Sequence, residues 1–66
     1  MDEFISYWQI YARVNRQRQG QALFNAANHF SEATRKIAEN VRGSINDPFH
    51  NDKAIDAFLA LIAKEL

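Results

Sequence analysis

The chain has no cysteine, one proline and two glycines in 66 residues. Without cysteine there is neither a disulfide framework nor a thiolate metal site. So little proline and glycine argues against disorder and against a fold built from loops. Net charge is also lacking: 8 basic side chains balance 8 acidic ones, which argues against a protein drawn as a whole to polyanions. No apolar run approaches the roughly 20 residues needed to span a membrane. Ala57–Ala63 is the most apolar stretch, and it is short and bracketed by Lys53 and Lys64. The N-terminus carries Asp2 and Glu3 where a secretory signal needs a basic start and an apolar run. The expected location is cytoplasmic.

What is present is apolar periodicity. From Asp2 to Gln17 the sequence predicts one helix. Asp2, Ser6, Gln9, Arg13, Arg16 and Gln17 share one narrow arc. The apolar residues fill an arc of roughly 220°, about twice the stripe a surface helix requires. Gly20 suits a tight connection or a helix start, and Gln21 to about Asn28 reads as a short second helix with Leu23, Phe24, Ala26 and Ala27 inward. Ser31 is a good N-cap for a third helix running to Arg42, whose inner stripe is Ala33, Ile37, Ala38 and Val41. Gly43 stands where helices end in the left-handed conformation. Ser44–Asn51 is a loop with turn chemistry at Asn46-Asp47-Pro48. Asn51 or Asp52 caps a last helix whose face is Ile55, Phe58, Leu59, Ile62 and Leu66, flanked by Leu61. The expectation is a single all-α domain over residues 1–66, with three or four helices and short connections.

Catalytic apparatus is not recognisable. Ser6, Ser31, Thr34 and Ser44 lie in no nucleophile motif, and His29 and His50 are isolated from any metal-ligand spacing. Glu32 and Glu39 sit on a solvated helix face rather than as a catalytic pair. No glycine-rich phosphate loop occurs. The sequence therefore predicts a protein that is not an enzyme and takes neither metal nor cofactor.

Three features carry information about partners. The first is charge layout. Residues 13–42 hold six basic residues (Arg13, Arg16, Arg18, Arg35, Lys36, Arg42) against Glu32 and Glu39, while both ends of the chain are acidic. This basic centre either pairs with the acidic segments, within the fold or across a dimer, or tracks phosphates in a helix-turn-helix-like arrangement. The neutral total and the lack of a turn glycine favour pairing. The second feature is aromatic density: Phe4, Tyr7, Trp8 and Tyr11 are four of the eight aromatic residues. Phe4, Trp8 and Tyr11 are assigned to the core. Tyr7, Ile10 and Val14 form a second line that a monomer this small has little means to cover, with Asn15 placed to set the register of a contact. The third is a polar set around the connections: Arg18, Gln21, Asn25, Arg42, Asp47, His50 and Asp52. Within it, Asp47 and Asp52 are expected to receive Arg18 or Arg42 in a structural clasp.

The blocks Arg18-x-Gly20-Gln21-Ala22-Leu23-Phe24-Asn25, Val41-Arg42-Gly43-Ser44 and Asp47-Pro48-Phe49-His50-Asn51-Asp52, with Phe58-Leu59 near the end, resemble those of very short bacterial and bacteriophage proteins. These carry R-x-GQ-x-x-FN, IRGT-like and DPFY-x-D blocks. The resemblance runs from about Phe4 to Ile62. It departs at Ser44 (threonine expected), His50 (tyrosine expected) and Ser31-Glu32 (proline expected). It brings no established activity with it. What it implies is a setting in phages and mobile elements, whose short proteins commonly bind a host protein. The leading expectation is thus a small helical protein-binding module that self-associates. The alternatives are a nucleic-acid-binding module using the six basic residues, and a structural subunit of a larger assembly.

Overall fold

The computed structural model describes every residue from Met1 to Leu66 and contains four α-helices and no strand. They are α1 (Asp2–Asn15), α2 (Gln19–Phe30), α3 (Glu32–Val41) and α4 (Ile55–Glu65), with a single 3-10 turn, Asp52–Ala54, leading into α4. The domain is all-α. α2 is its hub: α1, α3, the 3-10 turn and α4 all pack against it, whereas α1 has no backbone neighbour other than α2.

The core is a cluster of twelve residues, and five of them are alanines (12, 22, 26, 27 and 38). Small side chains at helix crossings let the axes approach, so the volume falls to a few large residues. Phe4, Leu23, Phe58 and Ile62 are completely buried. Phe4 meets Phe30 edge-on at 5.2 Å, and Phe24 meets Phe49 edge-on at 5.8 Å. On α1 the buried line is Phe4, Trp8 and Ala12. Tyr11, assigned to the core from its spacing, instead lies half-buried with its ring stacked on His29 at 6.0 Å. The i, i+4, i+8 row faces α2 squarely, and Tyr11 falls on its flank.

The helix ends differ from the expected ones in instructive ways. α1 stops at Asn15 rather than Gln17 because Arg16 turns left-handed at φ 53°, ψ 47°. The amides of Arg16 and Gln17 then both return to the Ala12 carbonyl, closing the helix in the usual left-handed manner but without glycine. α2 begins two residues earlier than expected and extends to Phe30. Gly20 therefore stands in its first turn, the helix start of the two roles its position suits. It is buried because the Pro48 carbonyl oxygen and an Asp52 carboxylate oxygen occupy the space a Cβ would take. At α3, Ser31 is the N-cap, paired reciprocally with Thr34 in a capping box. Thr34 is fully buried, and its hydroxyl also donates to the Ala27 carbonyl at 2.7 Å. Gly43 has φ 77°, as its place after α3 requires. Asn51 accepts the Lys53 amide at 3.0 Å, capping the 3-10 turn.

Candidate functional site

Two surfaces gather the residues singled out by the sequence: the outer face of α1, and the junction of α2, α3 and the 43–52 loop.

On α1, the direction opposite α2 carries Ile10, 56% exposed, and Val14, 71% exposed. Tyr7 edges the same line and is half-buried, its ring 5.4 Å from Phe30 and 6.1 Å from Tyr11. Asn15, expected to set the register of a contact there, stands off this row: it lies seven residues after Trp8 and so on the Trp8 side of α1, where it is exposed and its Nδ2 donates to the Tyr11 carbonyl of its own helix at 3.0 Å. The apolar arc of α1 is thus divided. One side is consumed by the core, and Ile10 and Val14 on the other are exposed, since α2 is the only helix whose backbone comes close to α1.

At the junction, Arg18 Nη1 donates to Asp52 Oδ1 at 2.7 Å, and Arg18 Nη2 donates to the Phe49 carbonyl. Asp52 Oδ1 also accepts the Gly20 amide at 3.1 Å. One carboxylate oxygen therefore ties together the start of α2 and the entry to α4. The rest of the expected clasp is corrected. Asp47 is buried and receives no arginine: its Oδ2 accepts the Gly43 amide at 2.7 Å and its Oδ1 the Phe49 amide at 2.9 Å. Its carboxylate is satisfied by the loop it closes. Arg42 is exposed and forms no ion pair.

The six basic residues do not act as one group. Arg18 is engaged with Asp52, Arg35 with Glu39 at 2.9 Å, and Lys36 with Glu32 at 3.6 Å. Arg13, Arg16 and Arg42 are exposed without ion-pair partners.

Beside the clasp a groove of about 560 Å³ opens between α2, the end of α3 and the loop, lined by Asn25, Asn28, His29, Arg42, Phe49 and His50 among others. The sequence block at 18–25 and the two neighbouring blocks at 41–44 and 47–52 converge around this groove and the clasp. Asn28 and His29 are additions to the expected polar set: Asn28 lies at the expected end of the second helix, and His29 just beyond it, inside α2 as it stands. Their spacing from Asn25, three and four residues on, was the available signal. His50 lies against Phe49 with ring centroids 4.7 Å apart. No group of three or more histidine or carboxylate side chains is placed to hold a metal ion. No helix is long and apolar enough to cross a membrane.

Comparison of the chain with protein-family models, with curated proteins and with solved structures finds no match.

Proposed function

We propose that this chain is a small non-catalytic protein-binding module whose contact surface is the outer line of α1, and that it self-associates there. The single observation behind this is the exposed apolar pair Ile10 and Val14, edged by the half-buried Tyr7, on a helix whose only close backbone neighbour is α2. Isolated exposed apolar residues are ordinary. Here, however, two of the exposed large hydrophobics share one helix face and are flanked by tyrosines, which are favoured at contacts because each has an apolar body and a polar tip. Burying apolar area stabilises by about 25 cal/mol per Å², a useful gain for a domain with only a few kcal/mol of stability. The resemblance to short phage and mobile-element proteins extends the proposal: the module would occupy a host protein.

The test is affinity capture of the tagged chain from bacterial lysate, with and without nuclease, beside the Ile10→Glu variant. Protein-binding through α1 predicts a nuclease-resistant, near-stoichiometric band that Ile10→Glu loses. A band that survives Ile10→Glu moves the contact off α1. Material lost on nuclease treatment supports nucleic acid held by Arg13, Arg16 and Arg42, the basic residues without ion-pair partners.

A further inference from the structure

We infer that the outer line of α1 accepts a second copy of this chain with the two α1 helices antiparallel, so that the acidic start of each lies against the basic end of the other. This rests on the reading of α1 as the contact surface and specifies its occupant and orientation.

Glu3, Tyr7, Ile10 and Val14 are spaced by four, three and four residues. That is the heptad seam by which two helices pack along their length. The seam lies on the side of α1 away from the Phe4-Trp8-Ala12 row that faces α2, so a second helix reaches it without displacing the core. The charges on α1 are polarised: Asp2 and Glu3 in its first turn, Arg13 in its last, and Arg16 just beyond. A two-fold contact must be self-complementary, because every residue meets what its own partner meets. With the helices antiparallel and fully overlapped, Tyr7 meets Ile10 of the second copy and Val14 meets Glu3. The carboxylate of Glu3, on the seam, then comes near the guanidinium group of Arg13 of the second copy, which flanks it. A parallel pair brings Asp2 and Glu3 against Asp2 and Glu3, and Arg13 against Arg13, which is repulsive at both ends. Helix dipoles favour the same choice. Because α1 is 14 residues long, the seam extends for about 21 Å. One such helix pair buries less than the roughly 1,600 Å² of a standard interface. Association is therefore expected in the micromolar range and above.

The experiment is sedimentation equilibrium of the full chain from 1 μM to 1 mM at low and high salt. It compares wild type with Glu3→Arg, Arg13→Glu and the double variant, with helicity checked by circular dichroism. Each single exchange is expected to raise the dimer Kd on the order of tenfold, since it acts twice in a symmetric pair. The double exchange is expected to restore the wild-type Kd. Both exchanges oppose the dipole of their own helix, so that effect adds in the double variant, and restoration reads only the contact between copies. A dimer whose double variant is as weak as its single variants overturns the antiparallel arrangement. A chain that remains monomeric throughout overturns the second copy as occupant. In that case, loss of the captured protein band in Ile10→Glu keeps α1 as a surface for another protein, and its persistence removes that reading as well.

Discussion

Arg18 and Asp52 are separated by 34 positions in the sequence and meet at 2.7 Å, while the oxygen that receives the guanidinium also accepts the Gly20 amide at 3.1 Å. This one carboxylate oxygen fastens the first turn of α2 to the entry of α4. Both side chains of the ion pair are about half exposed, at 49% and 50%, so solvent screens much of their attraction. The amide bond to Gly20, partly buried, is the less replaceable of the two.

Asp52→Ala should accordingly destabilise the domain more than Arg18→Ala does. The expected losses are about 1–2 kcal/mol for the aspartate, which forfeits both bonds, and about 0.5–1 kcal/mol for the arginine. Urea titration at fixed protein concentration measures both. Equal losses would mean that the Gly20 amide contributes no more than the Arg18 bond to the Phe49 carbonyl.

Gly20→Ala tests the closest approach in the fold. Alanine in place of glycine inside a helix normally stabilises by about 1 kcal/mol. Here the new methyl would meet the Pro48 carbonyl oxygen and Asp52, so the sign should reverse, with a loss of about 2 kcal/mol or more. A raised melting temperature would contradict the packing of the loop against α2.

The left-handed residue at the end of α1 predicts the opposite direction. Arg16 holds φ 53°, a conformation unfavourable by about 1–2 kcal/mol for a residue with a Cβ. Part of that is returned to the unfolded chain as extra freedom when glycine replaces it. Arg16→Gly should therefore stabilise by about 0.5–1 kcal/mol, raising Tm by a few degrees. A lowered Tm would place a compensating interaction on the arginine side chain.

Thr34 predicts a loss without a change of shape. Thr34→Val keeps the buried volume but removes the bond to the Ala27 carbonyl and half of the capping box. About 1–3 kcal/mol should be lost, measured by thermal melting at fixed concentration. A neutral result would show that the Ser31 cap alone holds the corner between α2 and α3.

These sites also mark how far the sequence is legible. The row Phe4 and Trp8, the inward side of α2, the Ser31 cap and the left-handed Gly43 all follow from rules acting within one turn of helix. Gly20 does so only in part: its local signal allows a connection or a helix start, and what requires glycine there is supplied by Pro48 and Asp52, about thirty positions away. Asp47 shows the reverse. Arginines were available at long range, yet two amides of its own loop satisfy it first, leaving Asp52 to receive Arg18. Thr34 escapes an apolar stripe because it is polar, and only its hydroxyl partners make its burial tolerable. Of the α1 surface, Tyr7, Ile10 and Val14 are legible as a second line because the apolar arc is wider than one neighbour can cover. Asn28 and His29 line the groove only because the end of α3 and the 43–50 loop fold back beside α2, which no pattern within one helix indicates.

The contact surface on α1 is tested most directly by amide chemical shifts of the isotope-labelled chain as it is diluted from about 1 mM to about 10 μM, the range over which a micromolar dimer dissociates. Concentration-dependent shifts concentrated at Tyr7, Ile10 and Val14, and abolished by Ile10→Glu, are the predicted result. Spectra independent of concentration, or shifts confined to the groove around Asn25, Arg42 and His50, would contradict it.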